Sequence, residues 1–545
     1  MPVPADTYAN DDAEPATDVI VVGAGPVGLT LAHELGSRGV GVALVDPHDR
    51  PDESSPRCKQ LNPRSMEHFR RLGLADAIRD ASLLPFGWSD SAVFCTTLTG
   101  PLVQRFGGVF ATSDVPWSVL PEPAQWTAQF SVERALRAEL ATRPTVTPHW
   151  GSTLVDVDQD AGSVTATLLD DRGGITRLRA RYLAAADGGR STTRQKLGIE
   201  LSGSSHGVEN LQVIFDAPGL AARHRHGRAL QYWILNDEIS GLMGQLDTSG
   251  KWWAILIDAP NWSSHVSTRR AVQALIGADE PLRIVAQTPW TARMLLADRY
   301  REGRCFLLGD AAHLNPPWGG FGANTGIGDA VDLGWKIAAM VDGWGGEALL
   351  ASYETERRPF AVSAIAAAKH NMAVLTPELS TPEITGHGEE GEQARRHAAE
   401  VIARSKSAET YTLGFTLGTG CPDSPLVLPD TRHAPLSVGS VYQPSACPGM
   451  RLPHLWLGPG VSLYDRLGPG FTLIECGVAS ASDGLKAQAS RRGVPLTVLP
   501  INRPDAAALF DAWYVLVRPD QLVAWRGDEL PEDVGSLLDH VRGVI

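Results

Sequence analysis

An unbroken aliphatic run, Val19-Ile20-Val21-Val22, sits inside residues 18–23. A short apolar run bounded by a polar residue and a glycine predicts a fully buried strand. Residues 26–38, PVGLTLAHELGSR, follow with apolar positions at helical spacing, Pro26 at the start and Gly39 just past the end, which predicts a helix. Residues 40–46, VGVALVD, return to a strand pattern, so the chain opens with a βαβ unit. Amphipathic helical patterns recur over 64–81 and 130–142. From about residue 151 the period shortens to two, and TLVDVDQDAGSVTATLLD predicts antiparallel strands. Residues 181–189, RYLAAADGG, read as a buried strand ending in Asp-Gly, and residues 211–258 as a meander of short strands. This is the pattern of an antiparallel sheet inserted between two parts of an α/β domain.

Farther on, Cys305-Phe306-Leu307-Leu308 predicts another buried strand, and a helix over 325–341 carries Ile327, Ala330, Val331, Gly334, Ile337, Ala338 and Val341 on one face. Residues 372–390 are rich in Thr, Pro, Gly and Glu and predict a linker, while 393–406 predict a helix with no evident partner. From about residue 450 the strands FTLIECG, PLTVLPI, YVLVRPD and LVAWRGD, with helices near 483–492 and at the end, outline a small α/β domain.

Composition adds bounds rather than identity. The length of 545 residues suits roughly three or four domains, and 43% hydrophobic residues suffice for large cores. A net charge of −14 argues against nucleic acid or an anionic membrane as the main partner. No stretch approaches the roughly 18 apolar residues of a membrane helix. Residues 1–17 are acidic and Pro/Ala-rich with no basic flank or apolar core, which predicts a short disordered tail rather than a signal peptide. Cys58, Cys95, Cys305, Cys421, Cys447 and Cys476 form no CxxC pair, so no metal centre and no redox dithiol is expected, and a reducing cytoplasm fits.

Two stretches carry chemistry. Gly23-Ala24-Gly25-Pro26-Val27-Gly28 is a GxGxxG between strand and helix. Gly23 permits the tight turn, Gly25 lets a pyrophosphate approach backbone N–H groups at the helix start, and Gly28 allows close packing. Pro26 and Val27 belong to the same turn, and Asp46, ending the second strand, suits an adenosine ribose. The second stretch, LLGDAAHLNPPWGGFGANTG at 307–326, delivers one acid, Asp310, to a strand end and then brings glycine backbone to a helix start. A dinucleotide longer than NAD needs such a second anchor. Asp310 suits a ribitol hydroxyl, and the amides of Gly320, Gly322, Ala323 and Asn324 suit a flavin edge that turns negative on reduction. FAD is therefore the expected cofactor. His313 in this loop is expected to be structural, and RHRHGR at 223–228 to be a solvated loop.

These stretches resemble the class A flavin monooxygenases, the aromatic hydroxylases that share the p-hydroxybenzoate hydroxylase fold. The motifs are VVGAGPVGLTLAHEL, RYLAAADGGRSTTRQKLGI with Asp187 in its DG pattern, and FLLGDAAHLNPPWGGFGANTGIGDAVDLGWK, together covering roughly residues 17–370. SPRCKQLNPRSMEHFRRLGL resembles the segment after the second strand, which implies that Arg57 lies near the cofactor, and Gln129 matches a position that touches the cofactor ribose. Cys58 and Lys59 depart from the small residues common there, Asp46 replaces a usual Glu, and Trp318 and Phe321 replace smaller or polar residues. YVLVRPDQLVAWRGDELP resembles the thioredoxin-like domain of phenol and polyketide hydroxylases, here without a CxxC. Other segments are similar to actinomycete natural-product hydroxylases and chlorophenol hydroxylases.

The resemblance implies an α/β protein: an FAD-binding βαβ Rossmann-like domain (18–80, 113–200 and 290–370), an inserted antiparallel-sheet substrate domain (81–112 and 201–289), a linker with a helix (371–445) and a thioredoxin-like domain (446–545). It implies an FAD-dependent monooxygenase that hydroxylates a phenolic or polycyclic aromatic substrate, in natural-product biosynthesis or aromatic degradation. NADPH or NADH is the transient electron donor, O2 the co-substrate and a flavin C4a-hydroperoxide the oxygenating species. Such a protein is cytoplasmic, monomeric or homodimeric, and has neither nucleic acid nor membrane as a partner. Tyr232 on the meander is the expected partner of a phenol, and Pro317 a loop residue beside the flavin. The WxWxIP signature of flavin halogenases is missing, since KWWAILI has adjacent tryptophans and no proline. A Baeyer–Villiger oxygenase of the same fold and a non-catalytic flavin-binding pathway protein stay open as alternatives.

Overall fold

The computed structural model describes residues 16–113, 117–259, 264–373, 379, 381–430, 440–477 and 482–545. The expected tail lies outside the described residues up to position 15, and Thr17 already belongs to the first strand. Five parallel strands form the centre of the first sheet, in the order Cys305–Leu307, Ile175–Ala185, Thr17–Val22, Val42–Asp46 and Val146–Trp150. The strands Thr17–Val22, Val42–Asp46 and Cys305–Leu307 are buried on both faces, which is why they read as near-continuous apolar runs; Val146–Trp150 at the edge is partly exposed. Because the strands are parallel, their carboxyl ends share one edge, where Gly23, Asp46, Ala186 and Asp310 emerge. In doubly wound sheets that edge is where ligands bind.

The second sheet has eight strands, in the order His313–Leu314, Arg283–Ala297, Leu201–Asp216, Lys251–Leu256, Gly241–Gln245, Gln231–Ile234, Ala92–Cys95 and Leu102–Phe106. The long strand Arg283–Ala297 runs beyond the expected boundary at 289, and the loop strand His313–Leu314 pairs with it, so the two sheets meet beside Asp310. One face of this sheet packs on the helix His265–Ile276, and the other roofs the carboxyl edge of the first sheet.

The helix Phe321–Val341 starts four residues earlier than its apolar pattern suggests, with Gly320 as N-cap at φ +66°. It is also buried nearly all round, Asp329, Asp332 and Lys336 included, because Pro26–Gly36, Glu347–Ala373 and the C-terminal domain enclose it. The region expected as a linker begins inside the helix Glu347–Ala373, part of it lies outside the described residues, and Leu379 and Ile384 within it pack against the second sheet. Helix Glu389–Ser405 finds its partner at the edge of the second sheet, where Ala398 and Ile402 join the core of Phe94, Phe106 and Trp233.

The C-terminal domain is a four-stranded sheet in the order Leu496–Pro500, Phe471–Glu475, Tyr514–Val517 and Val523–Gly527, its first pair parallel and the others antiparallel. A short helix not anticipated from the pattern, Pro504–Phe510, precedes the third strand. Buried ion pairs fix this domain to the first. Arg518 reaches Glu356 at 2.7 Å, Asp332 at 3.1 Å and Asp520 at 2.5 Å, and Lys336 reaches Asp332 and Glu356 at 2.8 Å each. Arg451 pairs with Glu67 at 2.5 Å. The three carboxylates of Asp332, Glu356 and Asp520 lie close enough to hold a metal ion, but the two cations fill that role.

Candidate active site

A cavity of about 470 Å³ lies between the carboxyl edge of the first sheet and the second sheet. Gly25, Pro26, Val27, Arg57, Gln129, Ala186, Gly188, Asp310, Pro317, Gly320, Gly322 and Ala323 all line it, so segments nearly 300 residues apart converge on one space (Gly25 and Gly322). The glycines of the first motif divide the work. Gly23 takes φ +98°, and a Cβ there would meet the Ala186 carbonyl oxygen at 2.4 Å. A Cβ on Gly28 would lie 1.8 Å from the Gly23 carbonyl oxygen. These two close the turn. A Cβ on Gly25 would meet nothing within 4 Å, so the backbone at the helix start faces open space of the kind a pyrophosphate needs. The donor set therefore fits a dinucleotide.

Asp310 opens into this cavity while protein encloses it on the other sides; burial raises its pKa, opposed by His313 and Arg57. The turn that presents it is held from behind. Asp329 accepts from Gly309 N at 3.1 Å, His313 Nε2 lies 2.8 Å from Asp329 Oδ2, and Arg357 donates to Oδ1 at 2.8 Å. Burial works to raise the Asp329 pKa, yet Arg357 and His313 outweigh it and hold the carboxylate low. His313 is thus engaged in structure. At the opposite wall Arg57 and Phe110 adopt left-handed backbone at φ +41° and φ +59°. Such strain concentrates where a backbone is shaped for a ligand.

Several of the expected residues also have partners within the protein. Asp46 spends one oxygen on Ala24 N at 2.6 Å and the other on His48 N at 2.8 Å, so it braces the glycine turn. Asp187 Oδ2 accepts from Thr193 N and Oγ1 at 3.0 Å each, leaving Oδ1 buried without a partner; its neighbours Ala186 and Gly188 line the cavity. The Asn324 side chain bridges Asn62 N, Ser65 Oγ, Gln60 O and Gly320 O, tying the helix start to the segment after the second strand. Gln129 opens its helix and donates to Glu133 at 2.8 Å.

The expectation for Tyr232 is corrected by strand parity. Gln231 and Trp233 face the cavity, so Tyr232 faces away. It is fully buried against Trp252 and His224 and donates to the Gly227 carbonyl. His224 is correspondingly buried, its pKa lowered by burial to about 4, rather than solvated as RHRHGR suggested.

Most of the roof carries no positional signal in the chain's pattern. Gln212, Gln231, Trp233, Leu242, Thr288 and Trp290 come from it, with Trp126 and Phe110 from the side and Trp318 from the loop. Trp290 and Trp318 have centroids 6.0 Å apart, and Trp318 Nε1 is buried without a partner among the described residues. Glu409 also lines the cavity, delivered by the short helix Ser407–Thr410; Lys406 holds it at 2.5 Å and lies 4.8 Å from the Trp233 ring centroid. Lys59 enters beside Arg57. An unusual residue flanked by a recognised motif was the one clue, and it pointed to Lys59.

Comparisons agree with this geometry. The family model described as FAD binding domain matches residues 16–368, and that described as aromatic-ring hydroxylase, C-terminal, matches 445–544. The chain is 32% identical to tetracenomycin B2 monooxygenase-dioxygenase of Streptomyces olivaceus, over 96% of this chain and 97% of the other. It is 29% identical to 2,4-dichlorophenol 6-monooxygenase of Cupriavidus pinatubonensis, over 97% and 96%. The structure of the rebeccamycin biosynthetic enzyme RebC with reduced flavin is similar at a TM-score of 0.89 and 34% identity, over 97% of this chain and 99% of that one. A ternary complex of aklavinone-11 hydroxylase with FAD and aklavinone gives 0.82 and 27%, over 97% and 99%. With a glycine turn, an acid-bearing loop and a roofing sheet around one cavity, and with both family models matched in order, the chain belongs to the FAD-dependent aromatic-ring hydroxylases.

Proposed function

We propose that the substrate is a planar, polycyclic phenol and that NAD(P)H is the electron donor. The observation that carries this reading is the tryptophan panelling of the cavity: Trp126, Trp233, Trp290 and Trp318 offer flat faces on several sides. Flat aromatic surfaces suit offset stacking with fused rings. Trp233 is itself braced from behind by Phe94, its ring parallel within 4° at 5.6 Å. Relatives named for tetracenomycin B2 and for aklavinone, both aligned over 96% of this chain, support the same class.

Gly23, Gly25, Pro26, Val27 and Gly28 would cradle the FAD pyrophosphate, with Arg57 and Gln129 alongside and Asp46 and Asp187 bracing the turns. Asp310 would accept from the ribitol. Gly320, Gly322 and Ala323 would present the helix start to the ring system, with Asn324 fixing that start and Pro317 shaping the loop before it. Bound FAD, once reduced, supplies the activated oxygen delivered to an aromatic carbon. The protein's own part is to orient and to exclude water. The positive end of the helix Phe321–Val341 favours negative charge at the cavity. The roof sheet, with the Glu389–Ser405 helix packed on its edge, covers the space on one side, which would limit the loss of activated oxygen to water. Gln212, Gln231 and Thr288 offer hydrogen bonds to substrate oxygens.

The test is NAD(P)H oxidation by the FAD-loaded protein with hydroxyanthraquinones, hydroxynaphthoquinones and simple phenols, scored by mass spectrometry for products gaining one oxygen. Oxygenation of fused-ring phenols is expected. NAD(P)H consumption that yields hydrogen peroxide alone with every compound would overturn the reading.

A further inference from the structure

Of the cations in or beside the cavity, Lys406 is matched by Glu409, and Arg57 lies 3.9 Å from Asp52 at the surface. Lys59 is different. It lies on the segment entering the strand Gln60–Leu61, half-buried, with no carboxylate partner among the described residues. Its Nζ donates to the Arg57 carbonyl at 3.1 Å and sits 4.3 Å from the Trp253 ring centroid. Trp253 belongs to the roof strand Lys251–Leu256, two residues from Ile255, and Ile255 pairs with Gln212; both line the cavity. The ammonium therefore lies against the roof, where substrate groups converge, rather than at the Gly25 cradle.

We propose that Lys59 is a substrate-binding and specificity-determining residue that holds an ionised phenolic oxygen of the aromatic substrate against the sheet roof. This rests on the aromatic-phenol reading above. An unpaired ammonium enclosed in a cavity is poorly compensated, since a ring face offers less than water or a carboxylate. Burial accordingly draws the Lys59 pKa down to about 8, slightly offset by Cys58. A phenolate supplies the missing counter-charge. On binding, the phenol gives its proton to solvent, and the resulting phenolate is stabilised by Nζ; no electron changes hands. A ring bearing O⁻ is the better nucleophile toward electrophilic oxygen, so one contact serves both binding and reactivity. The other titratable groups facing this space are Arg57 and Cys58 on the same segment, Asp310 from the opposite loop, and Glu409, which Lys406 holds from behind; the Cys58 thiol is kept neutral by burial. Asp310 and Glu409 are both acids, which makes Lys59 and Arg57 the groups fit for an anion and sets Lys59 apart by its place at the roof.

The experiment uses alizarin, a hydroxyanthraquinone whose colour reports its ionisation, titrated into FAD-loaded protein across a pH series. The wild type is expected to bind it as the phenolate, lowering its apparent ionisation by roughly one to two pH units. Lys59→Gln should lose most of that shift and about tenfold in affinity while keeping its FAD, and Lys59→Arg should recover most of both. An unshifted probe with the wild type, or an equal shift and affinity with Lys59→Gln, overturns the proposal. So does a variant changed only in its KM for NADPH, which would assign the lysine to the electron donor. Failure of the parent reading looks different: no fused-ring phenol is oxygenated by either protein, whatever the probe does.

Discussion

Replacing Arg518 by methionine is expected to destabilise the protein by about 3–5 kcal/mol, the usual cost of removing one partner from a buried ion pair. The guanidinium is fully buried and donates to Glu356, Asp520 and Asp332. Methionine fills much of the volume, so the loss measures charge rather than a void. Two cations, Lys336 and Arg518, face three carboxyls, Asp332, Glu356 and Asp520. Burial and the neighbouring Glu356 push the Asp332 pKa well up, against Lys336 and Arg518. Burial acts to raise Glu356 as well, but Arg518 and Lys336 hold it well below its ordinary value. In the wild type Glu356 thus contributes stability that is present above the ordinary carboxylate range and is lost as pH falls through its depressed value. Without Arg518, burial dominates and the carboxyl takes up a proton more readily folded than unfolded. The penalty should be full near pH 7.5 and shrink as pH falls toward about 5. Urea unfolding of the FAD-loaded proteins, followed by tryptophan fluorescence and flavin release, measures it. Asp332→Asn, at a carboxyl whose pKa burial raises, should cost less than Arg518→Met. A loss below about 1 kcal/mol for Arg518→Met, or one that does not depend on pH, would refute this account of how the C-terminal domain is fixed.

Asp310→Ala should weaken FAD retention by about 1.5–3 kcal/mol, or roughly 10- to 100-fold, without unfolding the chain; an unchanged FAD dissociation constant would remove it as an anchor. Gly25→Val should fold, because a Cβ there meets nothing within 4 Å, yet purify with little FAD, whereas Gly28→Ala should fail to fold, with its Cβ forced to 1.8 Å from a carbonyl oxygen. Circular dichroism and flavin absorbance separate the two. The double variant Cys447→Ser, Cys476→Ser should turn over near-normally: Cys476 is buried, with its pKa raised by burial to about 11, so it stays a thiol, and an internal dithiol exchange needs two reactive partners. A collapse of turnover in the folded, FAD-loaded double variant would bring this domain into the redox chemistry.

The cofactor end was legible because its determinants are local. The strand Thr17–Val22, the three glycines and the acid at 310 each sit within a few residues of the turn they make, so spacing alone carries the geometry. The substrate end was not. Alternation along Gln231–Ile234 yields two faces and says nothing of which is inward, and Tyr232 fell on the wrong one. Apolar patterning likewise misjudged the helix Phe321–Val341, because its buried charges are matched by Arg357, Glu356 and Arg518, residues that arrive from elsewhere in the chain. The helix Glu389–Ser405 lacked an evident partner for the same reason: the sheet edge it covers lies almost 300 residues earlier, at Leu102–Phe106.

The Glu389–Thr410 stretch bears on how such enzymes can be recombined. A graft of the roof sheet from a relative, cut at the strand ends, would bring foreign tryptophan and glutamine positions under a native Lys406 that lies 4.8 Å from Trp233, and a native Tyr411 that donates to Gly107. The wall of the cavity is thus inherited in two instalments along the gene. Breakpoints that respect the fold would move both together, and libraries shuffled at the sheet boundaries alone should be enriched in proteins that hold flavin but have lost their substrate.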